Sequence, residues 1–260
     1  MTNKFTLPRL NLIILITLLS FSSSVYSAPP ANDGYKAELI AYFAKKGTNI
    51  ESMLSDSRFK LYEKITNKFT KSAEVKMQTL EDYKKVIGFK SKTKDMPKFI
   101  EQHKADLAKA EKEYGIPQSV IVGILAIESH FGKYSGKYNP FNAYVSMYAE
   151  GHRSKFALAQ LEELLKFAEK NNLDVFEMKS SYAGAMSYAQ FIPWSLNRWF
   201  VGDDLYNMSN NINSVANYLA HFKDITGTVK KAVYRYNPSD LYVGAVLALA
   251  DEADKVLAKS

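Results

Sequence analysis

A mostly α-helical fold with few or no strands is what this sequence predicts, on three observations. Apolar residues recur at helical spacing in segment after segment. Only one stretch, Val229 to Tyr236, alternates like a strand, and it suits a helix equally well. The chain has no cysteine, so no disulfide staples it and burial alone must hold its core. At 260 residues and 47% hydrophobic content it is long enough for one large domain or two small ones.

The first segment is set apart from the fold. Lys4 and Arg9 form a basic start, and Leu10 to Leu19 is apolar except for Asn11 and Thr17. Ser22 to Ala28 then puts small residues at the −3 and −1 positions of a cut after Ser27. Residues 1–27 therefore read as a secretory signal peptide, whose apolar run is too short to span a membrane. Residues 28–35, with Pro29 and Pro30, read as a flexible lead-in. Losing the leader lowers the formal charge of +7 by two. A modestly basic exported protein of this kind suits an anionic polymer, nucleic acid or no charged partner at all.

The helices follow in order. Tyr35 to Lys45 carries Leu39, Ile40, Tyr42 and Phe43 on one broad face. Pro97 to Tyr114 spaces Phe99, Ile100, His103, Leu107 and Ala110 helically, with Pro97 suited to a first turn. Gly115 to Ser119 reads as the start of the next helix, with Pro117 near its first position. Lys155 to Asn171, Asn213 to Phe222 and Leu241 to Ala258 complete the set, and turn residues cluster at Gly132 to Pro140 and Gly202 to Asp204. No linker interrupts residues 36–260. They read as one domain, with N-terminal helices over 36–110 packed on a core over 111–260.

Chemistry enters at Glu128. Seven residues, Ile121 to Ile127, are almost wholly apolar and end in this carboxylate. On a helix, Glu128 shares a face with Ile124 and Ile121. A carboxyl held in an apolar wall keeps its proton to higher pH, as a general acid for glycosidic-bond cleavage requires. Alternatively, Glu128 ends the helix and faces water at its rim. Three later segments bear on the choice: Ser181 to Pro193, Ser214 to Tyr218 and Tyr234 to Ser239. Each sets amides, hydroxyls and aromatic rings beside small residues, which suits a sugar-binding cleft. Ala183-Gly184-Ala185 leaves room for close approach of a ligand or a helix.

Tyr114-Gly115-Ile116-Pro117, Glu128-Ser129, Ala183-Gly184-Ala185-Met186, Tyr188-Ala189-Gln190-Phe191-Ile192-Pro193, Ser214-Val215-Ala216-Asn217-Tyr218 and Tyr236-Asn237-Pro238-Ser239 occur in this order. Taken together, the set resembles the B-type lytic murein transglycosylases, which have a lysozyme-like catalytic core. The likeness reaches upstream to Leu80 to Lys85 and Phe99 to His103, and covers roughly residues 36 to 255. It implies that Glu128 is the single catalytic acid and base. It implies that Ser181 and Gln190 contact the sugar and the catalytic carboxylate, that Tyr236 and Asn237 form the family's late substrate-binding cleft motif, and that Tyr83, Arg153 and Tyr218 line the cleft. The implied substrate is the peptidoglycan glycan strand, and the implied reaction closes a 1,6-anhydro ring without consuming water. The implied protein is a periplasmic monomer with no membrane insertion after leader cleavage; lacking cysteine, it has no lipid-anchor site.

The sequence departs from this family in one interval. Relatives often carry a calcium loop between the Gln190 motif and Ser214. Here Trp194 to Asn213 holds only the adjacent acids Asp203 and Asp204, so no calcium site is expected. No other metal or cofactor is expected either. His103, His130, His152 and His221 form no zinc-peptidase pattern, and no nucleophile elbow or phosphate-cradling loop is present. The basic runs at Lys84-Lys85, Lys90 to Lys98 and Lys230-Lys231 are scattered, as solvated faces are, which argues against nucleic acid. Two rivals stay open. One is a hydrolytic muramidase, which would need a second carboxylate from among residues such as Glu150, Glu162 or Asp174. The other is a non-catalytic wall-binding protein of the same fold.

Overall fold

The computed structural model describes residues 34–70 and 77–259. The proposed leader and most of the lead-in, residues 1–33, lie outside the described residues; Gly34 and Tyr35, read as the end of the lead-in, already belong to the first helix. Among the described residues the chain forms α1 (Gly34–Ala44), α2 (Glu51–Leu54), α3 (Asn67–Thr70), α4 (Leu80–Val86), α5 (Phe89–Gln102), α6 (Lys104–Tyr114) and α7 (Gln118–Ser129). It continues through α8 (Pro140–Ala149), α9 (Ser154–Lys170), α10 (Pro193–Trp199), α11 (Met208–Thr226), α12 (Val229–Tyr236) and α13 (Asp240–Leu257). Extended structure there is limited to isolated antiparallel bridges joining Tyr138 to Ser180, Ser180 to Met186 and Met186 to Phe191. The fold is the mostly α, lysozyme-like one that the sequence predicts.

Local chemistry sets the helix ends. Thr79, Asn139, Asn207, Thr228 and Ser239 each accept a first-turn backbone N–H through the side chain. Thr228 decides the ambiguous stretch: with its cap in place, Val229–Tyr236 is α12, burying Ala232 and Val233. Pro97 does not open a helix. It lies inside α5, and the break falls at His103, whose φ of −120° separates α5 from α6. The missing N–H of Pro97 removes one helix bond but leaves the rest of α5 intact.

At the centre stands α7, buried on every side from Ser119 to Ser129, as a helix apolar all round must be. One apolar cluster joins it to Tyr35, Leu39 and Phe43 of α1, Tyr83 of α4, and Tyr242, Val246 and Leu249 of α13. α13 packs directly along α7, and Gly123 is the reason it can come so close. A Cβ on Gly123 would stand 2.7 Å from the Val246 carbonyl oxygen. Glu128 meets Tyr242 further along, so the chains of α7 and α13 run in opposite directions. Gly123→Ala is therefore expected to destabilise the fold by about 1–3 kcal/mol through overpacking, against the small gain that alanine normally brings to a helix. Urea unfolding of the variant checks this; a midpoint at or above that of the wild type would contradict it.

Candidate active site

The backbone just after Glu128 is unusual. His130, Phe131 and Gly132 all have positive φ, at 50°, 59° and 82°. The His130 N–H reaches Ala126 O and the Phe131 N–H reaches Leu125 O, closing the helix end. Ser129 Oγ accepts from Gly132 N at 3.0 Å. Two successive non-glycine residues in the left-handed region are costly and persist only where the surroundings fix them. They hold the end of α7 rigid, and Glu128 with it.

Glu128 is 6% exposed and is the one buried carboxylate among the described residues. It does not hang at the helix rim. The Tyr242 hydroxyl donates to its Oε1 at 2.5 Å. Burial, then the Glu128 charge, push the Tyr242 phenol well above its ordinary range, and the same two causes act on Tyr236. Both phenols therefore keep their protons at any working pH, and Tyr242 is a permanent donor.

The corner between α12 and α13 explains this placement. Asn237, extended at φ −145°, caps α12, and Ser239 caps α13 two residues later. Tyr236 and Tyr242 thus flank one tight turn. The Tyr236 hydroxyl donates to Ala189 O at 2.6 Å, which fastens the loop carrying Gln190. That loop is further held by Ala189 N donating to Asn211 Oδ1 at 2.9 Å, and by left-handed Ser187 and Gln190. Gln190 Nε2 donates to Ser187 O at 2.7 Å. Gln190 Oε1 and Asn237 Oδ1 are left buried with no hydrogen-bond partner. Two orphaned amide oxygens beside the Tyr236–Glu128 group have acceptor capacity to offer a ligand.

The other sequence-predicted residues make these contacts. Tyr83 is buried and acts electrostatically on Tyr242. The Tyr218 hydroxyl is used on Arg235 O at 2.7 Å, and its ring packs on Tyr236 at 4.8 Å. Ser181 Oγ accepts from Ala185 N at 3.2 Å inside its own turn. The close approach at Gly184 is made by the Tyr144 ring of α8, which a Cβ there would meet at 2.2 Å. Arg153, left-handed at φ 51°, stacks its guanidinium over Phe156 at 4.2 Å.

The three acids weighed as second carboxylates are engaged elsewhere. Glu150 accepts from Ile65 N and Thr66 N, both at 3.1 Å. Glu162 is held by Tyr42 and Lys46, and Asp174 by Arg58. Sequence reasoning missed two residues near Glu128. Tyr242 reads only as an apolar position of α13. Lys92, inside a run taken for a solvated face, is 3% exposed while Lys90, Lys94 and Lys98 are exposed.

Comparison with known proteins gives consistent results. The family model described as "Transglycosylase SLT domain" matches residues 34–228. The chain is 34% identical over 127 residues to membrane-bound lytic murein transglycosylase B of Escherichia coli (strain K12), a match covering 46% of this chain and 35% of that protein. The matched region thus spans about a third of the length of that relative. Soluble lytic transglycosylase SltB1 from Pseudomonas aeruginosa superposes with a TM-score of 0.76 at 23% identity, covering 85% of this chain and 99% of that one. SltB3 from the same organism, in complex with NAG-anhNAM-pentapeptide, gives 0.71 at 18% identity, covering 85% and 78%. At these identities the two structures speak for the fold.

Proposed function

This chain belongs to the transglycosylase SLT domain family, and on that premise we propose that it is a peptidoglycan lytic transglycosylase with Glu128 as its acid and base. The observation that carries the reading is the one buried carboxylate among the described residues, bonded by Tyr242, with orphaned amide acceptors at the Tyr236 corner and on the loop that Tyr236 fastens. Tyr242 holds Glu128 through Oε1, and the carboxyl carries the proton to be transferred. Glu128 donates it to the oxygen between N-acetylmuramic acid and N-acetylglucosamine as that bond breaks. The substrate's own N-acetyl group stabilises the cationic centre, a recognised alternative to a second carboxylate. Ionised Glu128 then takes the proton of the C6 hydroxyl, whose oxygen bonds to C1 and closes the anhydro ring. A hydrolase would want a second acid within about 5–9.5 Å, and Glu150, Glu162 and Asp174 have other partners.

Ser181, Gln190, Tyr236 and Asn237 are the proposed sugar contacts, with Tyr83, Arg153 and Tyr218 supporting the cleft. The protein is proposed to act as an exported, periplasmic monomer on glycan strands. The similar E. coli protein is named membrane-bound; among the described residues here, no helix is long and apolar enough to cross a membrane. Release of soluble fragments from purified sacculi tests the enzyme against a wall-binding protein of the same fold: binding without release would overturn the reading.

Asn237→Ala separates recognition from support. Its Oδ1 has no partner in the chain, so removing it relieves a buried acceptor instead of stranding one. Stability is expected to stay within about 1 kcal/mol of wild type, while sacculus turnover falls about tenfold for one lost substrate bond. Gln190→Ala also loses the bond to Ser187 O, so it should lower both. Normal turnover by folded Asn237→Ala would remove that residue from the site.

A further inference from the structure

Lys92 has no obvious reason to be inside the protein. It sits on α5 among lysines that face water, yet is itself buried. An apolar side chain of similar size would be as stable there or more so, so its retention points to a use for the charge.

The contacts around Lys92 place that charge against the end of α7. Asp95, one turn further along α5, accepts from His130 Nε2 at 2.8 Å and from Lys133 Nζ at 2.6 Å. Both donors lie just past the end of α7, so Asp95 clamps α5 against the end of the helix that carries Glu128. Lys92, three residues before Asp95, shares its face of α5, and Glu128 lies two residues before His130. Asp95 is already engaged by two donors. Among the charges acting on Lys92, that of Glu128 is the largest and Asp95 follows; burial outweighs both and brings the amine down to about 8. His130 is pushed down first by burial and then by Lys92, against the pull of Asp95 in the other direction. Groups that share an electrostatic environment with Glu128 include the phenols of Tyr242 on α13 and Tyr236 on α12, and Tyr83 on α4 acts on Tyr242. Lys133 is held by Asp95. Lys92 is therefore the buried cation in the group.

We propose that Lys92 is a positioning residue for the reaction at Glu128: its buried ammonium stabilises the ionised carboxylate and so sets how readily that carboxyl releases its proton. The role rests on Glu128 being the acid and base. Burial in an apolar wall makes a carboxylic proton hard to shed, and one group that must give a proton and then take one needs an intermediate proton affinity. A neighbouring cation offsets the wall.

Carbon-13 NMR of labelled glutamate carboxyls, followed against pH in the purified chain, tests this without relying on turnover. In Lys92→Met the Glu128 midpoint should rise by about one unit, and Lys92→Arg should restore most of the difference. The alkaline limb of kcat/KM, where Glu128 loses its proton, should move up with it. The coupling is reciprocal, so Glu128→Gln should lower the midpoint of the Lys92 amine, read by nitrogen-15 NMR. That arm decides the matter if Lys92→Met does not fold. Unmoved midpoints in both directions would overturn the proposal. Moved midpoints in a protein that leaves sacculi intact would instead overturn the assignment of Glu128 as the acid and leave the coupling standing.

Discussion

Glu128→Gln is expected to fold like the wild type and to release fragments from sacculi at least about 100-fold more slowly, the lower end of what general acid–base catalysis contributes. The amide matches the carboxyl in shape, and its oxygen can still accept from Tyr242, so no cavity opens and that bond is kept. What disappears is the transferable proton, and with it both steps. Circular dichroism and sacculus digestion on one preparation check the two halves. Wild-type turnover by the folded variant would remove Glu128 from the mechanism.

Tyr242→Phe is the second large effect. The ring stays to pack between α7 and α13, but Oε1 of Glu128 loses its donor. A hydrogen bond to a charged group contributes about 1.5–3 kcal/mol, which corresponds to a loss of roughly 10–100-fold if it is felt in the transition state. The loss should fall in kcat with KM little changed, because Tyr242 contacts the carboxyl and not the proposed sugar contacts. A rise in KM with unchanged kcat would mean that the hydroxyl serves binding instead.

Much of this was legible in the sequence because it is written in periodicity. The spacing of Phe156, Leu161 and Leu165 predicts α9 to within a residue at each end, and α13 is equally clear. The run from Ile121 to Ile127 shows a helix with Glu128 on an apolar face; that the helix is buried all round, and Glu128 with it, comes from the packing and not from the run. Other elements escaped for physical reasons. Asn139-Pro140 is a cap followed by a first-turn proline, but the turn residues before it made it read as loop, so α8 went unpredicted. Pro97 suits a first turn and also survives inside α5, where packing of Met96, Phe99 and Ile100 outweighs one lost bond. The aromatic and amide motifs could be listed in order, but not which atoms of them are free. Ser181 uses its hydroxyl within its own turn and Tyr218 on a carbonyl, whereas Gln190 and Asn237 keep buried acceptors open. Lys92 gave no signal, since a lysine among lysines looks solvated until the helix is placed against α7.

The mass of the muropeptides released from purified sacculi tests the central claim most directly. Glu128 acting alone as acid and then base predicts muramyl ends one water lighter than reducing ends, the 1,6-anhydro form, from the earliest time points. Reducing ends as the primary product would show that water attacks C1, and would contradict the single-carboxylate mechanism built on Glu128 and Tyr242.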